Sequence, residues 1–258
     1  MKLHQSLLFC LAPGSSTVTI KALLQNAQKL ANCLKCSLQV AVSDQDLKAI
    51  QLLGQATIMK VHGNYLSGVL ELIPRLSIDA ALIPLSAESI QSFLEQCVVP
   101  VLLVPEYVSL TGNPVEWILV PMSIERPENE AMSLGIQIGC ALTLPVDILH
   151  VVQKQSKIIR PERFDDAFYH EYPHRIEQMI TQASPYATIR ERRCVRNYLQ
   201  HHGQVAEEIT KVMENTPNGL LILEWNGVMV QGHAERLKWI LQRARFPVLI
   251  IRSITKAQ

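Results

Sequence analysis

Short apolar runs alternate with stretches of helical periodicity along the whole chain, the pattern of βαβ units wrapped around a parallel sheet. In the first half the runs fall at 6–11, 37–42, 56–61, 80–85 and 101–104. In the second they fall at 117–121, 146–152, 188–195, 220–224 and 248–251. Several are apolar without interruption, as strands covered by helices on both faces must be. The pattern predicts ten strands in two sets of five.

The two sets follow one plan. Gly63 follows Val61-His62, and Gly203 follows His201-His202. From each glycine to the apolar pair Leu82-Ile83 or Ile222-Leu223 is 19 and 20 positions. Each half closes on a Pro-Val-Leu run, at Pro100-Val101-Leu102 and at Pro247-Val248-Leu249. Shared spacing and a shared closing run indicate a duplicated domain. From glycine to closing proline is 37 positions in the first half and 44 in the second, and the extra seven fit 226–232, a loop after the fourth strand. From Leu8 to Gly63 is 55 positions, whereas Leu119 to Gly203 is 84. That surplus falls largely in 155–183, a polar, aromatic-bearing segment between the second and third strands. The linker spans 105–116, with Thr111-Gly112-Asn113-Pro114 as its turn chemistry, and sets the domains at 1–106 and 113–258.

These residues carry a resemblance to the universal stress protein family. Ile118-Leu119-Val120-Pro121, followed by an acidic turn and a helix, is similar to the opening of such a domain. Asp147-Ile148-Leu149-His150-Val151-Val152 resembles its second strand, and 203–209, 220–223 and 246–252 complete the pattern. The match covers nearly all of the second half; the first half follows it more loosely. The resemblance implies an α/β fold of two tandem, doubly wound, five-stranded parallel sheets, of the adenine nucleotide alpha hydrolase-like type. Strands 101–104 and 248–251 are then expected to meet about a pseudo-twofold axis, an intrachain pseudo-dimer, with homodimer formation left open. Two separate sheets divided near 106–114 are expected, rather than a single continuous one.

Some members of that family bind ATP and others do not. The binders carry an Asp at the end of strand one and, after strand four, a GxxG loop followed by nine residues and Gly-Ser/Thr. Glycines let backbone amides approach phosphate, and the next helix's N-terminus favours an anion. Ligands of such sheets sit at the carboxyl ends of the strands, where the strand order reverses. Here Ser123 holds the acidic position of the second half, and Ala12 stands near it in the first. The second loop keeps only Gly227 and Gly232, with His233 in place of the hydroxyl residue. In the first half Pro84-Leu85-Ser86 runs straight into a helix beginning near Ala87. The resemblance thus implies a degenerate nucleotide site at Ser123, Val152, Gly227, Gly232 and His233, and a first half blind to nucleotides. No cofactor is expected, ATP binding being weak or absent.

Composition narrows the function classes. With 48% hydrophobic and 18% charged residues the chain can bury a core, which argues against wholesale disorder. The net charge of +1 is spread along the chain, without the basic stripe of a nucleic-acid binder. No apolar stretch approaches the roughly 20 residues of a membrane helix. The N-terminal run at 7–12 is short and preceded by Lys2 alone, so it reads as a strand rather than a signal peptide. Cys33 and Cys36 form a CxxC spacing, but the six cysteines read as reduced thiols of a cytoplasmic protein, most of them small hydrophobes. His170 and His174 are separated by Pro173, and neither they nor His201-His202 have cysteine or carboxylate partners at ligand spacing, so surface histidines are expected rather than a metal site. No GxSxG elbow, Walker loop, HExxH or strand-following GxGxxG occurs.

In the insertion, Phe164, Phe168 and Tyr172 recur at helical spacing around Asp165-Asp166. Such a stripe serves either as a lid over its own domain's cleft or as a docking surface for a protein partner. The reading favours lid packing for most of the rings, with an outer edge left for a partner. The function expected is that of a non-enzymatic stress-response or regulatory protein that acts by binding a protein or a small ligand. The alternative is an adenine-nucleotide-binding universal stress protein with weak hydrolase activity in the C-terminal domain.

Overall fold

The computed structural model describes residues 6–11, 13–14, 16–47, 57–85, 90–105, 112–122, 130–152, 194–225 and 233–252. The insertion at 155–183 lies outside them. The first half comprises β1 (Ser6–Cys10), α1 (Thr17–Cys33), β2 (Ser37–Ser43), β3 (Thr57–Val61), α2 (Tyr65–Arg75), β4 (Ala80–Pro84), α3 (Ile90–Gln96) and β5 (Val101–Val104). The second comprises β6 (Trp117–Met122), α4 (Glu130–Leu142), β7 (Val146–Val152), β8 (Val195–His202), α5 (Val205–Asn215), β9 (Gly219–Trp225), α6 (His233–Arg243) and β10 (Val248–Arg252).

Within each half every strand pairing is parallel, in the order β3-β2-β1-β4-β5 and its repeat β8-β7-β6-β9-β10. Both halves are therefore doubly wound. The closing strands β5 and β10 meet, as expected, and pair antiparallel. They do so by hydrogen bonding edge to edge, so the two sheets are one continuous ten-stranded sheet rather than two separate ones. The cause is general: an apolar edge strand leaves a row of backbone donors and acceptors unmet, and two such edges satisfy each other. The register is Val101 with Ile250, Leu102 with Leu249, and Leu103 with Val248. With Pro100 superposed on Pro247, the outer two pairs exchange and Leu102–Leu249 maps onto itself. That pair marks the pseudo-twofold axis.

Most of the strand expected at 188–195 lies outside the described residues; the strand that pairs with β7 is β8, at Val195–His202. It is the sheet's outer edge, its residues half-buried or exposed, and its sequence VRNYLQHH lacks the apolar run that marks a covered strand. The repeat spacing points to the right place, since β3 also ends just before its glycine, Gly63. That glycine holds φ +73°, a left-handed turn that other residues adopt at a cost. β8 also carries a bulge. Val146 pairs Val195 and Asp147 pairs Asn197, so Arg196 is the extra residue. The bulge lets Arg196 Nε (3.0 Å) and Nη2 both donate to Asp147, while Asn197 Nδ2 donates to the same carboxylate at 3.0 Å. Asp147, buried within the sheet, thereby receives the partners that its burial requires.

Each face of the sheet is covered by one apolar layer that crosses the junction. One layer holds α1 and α4 over Phe9, Val40, Leu102, Ile118, Ile148 and Leu249. The other holds α2, α3, α5 and α6 over Leu8, Leu103, Leu119, Leu149 and Val248. Ser16 caps α1 by accepting from Thr19 N at 3.2 Å, and Asn64 caps α2 by accepting from Ser67 N at 3.1 Å. α4 lies close against the sheet because Gly139 has no side chain: a Cβ there would strike Val146 and sit 2.9 Å from Leu144 O. Among the described residues no helix is long and apolar enough to cross a membrane.

Candidate functional site: two carboxylate-lined crevices

Strand order reverses between β1 and β4 in the first half and between β6 and β9 in the second, so a crevice opens at the carboxyl ends of each pair.

In the second crevice the last turn of β9 brings Glu224 to the start of α4. Glu130 N donates to Glu224 Oε2 at 3.1 Å, an acidic cap on the positive end of the helix. The Glu130 carboxyl is pushed above its ordinary value, first by burial and then by the neighbouring charge of Glu224. On β7, His150 Nδ1 lies 3.4 Å from Met122 O, and burial holds the imidazole below its ordinary pKa, with His202 adding to the effect and the Met122 carbonyl opposing it. At the next strand ends, His201 Nδ1 is 2.7 Å from Glu208 Oε2.

In the first half a carboxylate reaches the turn after β1. Asp46, buried, accepts from Ser43 Oγ at 2.7 Å and from Gly14 N at 3.2 Å. The amide in the turn after β1 is therefore taken by the chain's own carboxylate. Tyr65, at the start of α2, donates its hydroxyl to Ala41 O at 3.0 Å. Burial, followed by the charges of Cys10 and Asp46, raises that phenol well above its usual range, so it stays a neutral donor.

Of the five residues the resemblance singled out, Ser123, Gly227 and Gly232 lie outside the described residues. Val152 ends β7 and offers its carbonyl to Gly203 N at 3.2 Å, and His233 opens α6. What the structure brings together instead is Glu130 and Glu224, 94 positions apart, and Asp46 against Gly14. Sequence reading missed all three carboxylates. The one available signal was an acidic residue ending an otherwise apolar strand, at Glu224. Among the described residues, each crevice holds a carboxylate that accepts a hydrogen bond from a backbone amide, Glu130 N in one and Gly14 N in the other. Among the described residues, no three His, Cys, Asp or Glu side chains converge on a metal-sized point.

Two doubly wound halves in tandem, joined through antiparallel closing strands, make this the fold of a tandem universal stress protein. Among solved structures, a universal stress protein from Archaeoglobus fulgidus DSM 4304 is similar along 96% of this chain and 96% of its own, with a TM-score of 0.62 at 11% identity. A functionally unknown protein from Pseudomonas aeruginosa PAO1 matches 96% of this chain and 92% of its own, with a TM-score of 0.63 at 10% identity. At such identities the likeness is one of fold. No protein-family model matches the chain, and no curated protein matches it in sequence.

Proposed function

We propose that this chain is a non-enzymatic regulatory protein of the stress-response type, which works by binding a protein or small ligand and does not process adenine nucleotides. The observation that carries the reading is the Glu224 carboxylate on Glu130 N at 3.1 Å, with the Glu130 carboxyl beside it. A triphosphate entering between β6 and β9 meets two acidic groups, and the Glu130 amide at the start of α4 is already bonded. The degenerate loop at Gly227 and Gly232 supports the same conclusion from the sequence.

Equilibrium dialysis of the purified chain against labelled ATP tests it. Retention is expected to be negligible up to millimolar nucleotide, with no phosphate release above the blank. In the Glu130→Gln/Glu224→Gln protein, affinity is expected to rise about tenfold or more, since each removed like charge is worth about 1 kcal/mol at close range in a wet site. Micromolar ATP affinity in the unaltered chain overturns the proposal.

A further inference from the structure

A cavity of about 60 Å³ lies on the face of α1 and α4, beside the pseudo-twofold axis. Its walls come from both halves: Leu7, Leu34 and Leu102 from the first, and Leu134, Ile138 and Leu249 from the second. It reaches the amino ends of β1 and β4, so it is separate from the carboxyl-end crevices. The volume is several times the roughly 10–15 Å³ that one water needs, yet a buried water also needs two or more polar partners. Among the described residues its lining is apolar apart from Ser6, Cys36 and Asp79, and Asp79 Oδ2 accepts from Ser6 N at 3.3 Å and from Ser6 Oγ at 3.2 Å. The hollow is partly open, and its apolar walls favour small apolar molecules over water, while junctions between domains are preferred places for ligand sites.

We propose that this cavity binds a small, neutral, apolar ligand that bridges the two halves of the molecule. The Asp79 carboxylate at its margin selects against anionic head groups, so a hydrocarbon or a neutral alcohol fits where a fatty-acid anion does not. Because the walls are shared, such a ligand stabilises the junction itself. The inference does not depend on whether the crevices reject nucleotides.

Thermal unfolding of the full chain with toluene as the probe tests the proposal. At about ten times its dissociation constant, toluene is expected to raise the unfolding midpoint by about 3–5 °C. Octanoate at the same concentration is expected to give less than half that shift. Ala80→Leu and Leu220→Phe each add carbon to the cavity wall, and either variant that keeps its cooperative transition is expected to lose the toluene response. Crystals held under xenon are expected to show the atom between Leu102 and Leu134, a readout that needs no variant. An unshifted midpoint with toluene, an equal shift with octanoate, an undiminished response in a folded cavity-filled variant, or xenon-treated crystals with no atom in the cavity overturns it.

Discussion

Leu102 and Leu249 pair directly across the antiparallel junction of β5 and β10, at 1% and 7% exposure, on the axis that exchanges the two halves. Directly opposed side chains in an antiparallel pair lie about 4.5–5.5 Å apart at Cβ, close enough to pack on each other. Each truncation, Leu102→Ala or Leu249→Ala, is expected to cost about 2–5 kcal/mol. The double variant is expected to depart from the sum by about 0.5–3 kcal/mol, because the two leave a single shared cavity. Urea unfolding of the four proteins measures this. Additivity within a few tenths of a kcal/mol means that the halves do not sense each other at this point.

Gly139 reverses an ordinary rule. In an exposed helix, Gly→Ala gains about 1 kcal/mol. Here the added methyl meets Val146 and Leu144 O, and Gly139→Ala is expected to destabilise by about 1–3 kcal/mol instead. Chemical denaturation reads the sign directly, and a stabilised variant shows that α4 has room to lift from the sheet.

Asp147 ties the bulged edge strand to its neighbour through Arg196 and Asn197. Asp147→Ala leaves both donors without that acceptor, for an expected loss of about 1–3 kcal/mol. The effect should be local. Amide hydrogen exchange is expected to accelerate along β8 while β1 and β4, in the far half of the sheet, keep their protection.

His150 supplies a pH dependence with a definite sign. Burial holds its folded pKa below the ordinary 6.5. As pH falls, the unfolded chain therefore takes up the proton first. Its contribution is complete above the ordinary value and is lost as pH falls through it toward the folded pKa. Stability followed from pH 7.5 down to about 5.5 is expected to decline, and His150→Asn to decline less steeply. A slope unchanged by the substitution assigns the proton to another group.

The covered strands were legible because burial on both faces leaves an unbroken apolar run, as at Val101–Val104 and 248–251. β8 was not: an edge strand with one flank in solvent needs no such run, and Tyr198 remains 40% exposed. The fusion of the two sheets was half legible. Matching Pro-Val-Leu runs indicated the duplication and the family resemblance implied which strands meet, but whether their backbones bond is decided by approach distance, which spacing along the chain does not encode. The crevice carboxylates depend on contacts between distant elements. Glu130 and Glu224 meet only because β6 and β9 are neighbours in the sheet, and Asp46 reaches Gly14 through the pairing of β1 and β2.

The antiparallel join has a directional consequence. Strands of the first half point one way along the sheet and those of the second point the other. Their carboxyl ends, and the mouths they form, therefore open toward opposite poles of the molecule. Whatever is held at one mouth faces away from whatever is held at the other, with β4, β5, β10 and β9 between them. The duplication has thus produced a molecule with two poles, each formed by the strand ends of one half alone.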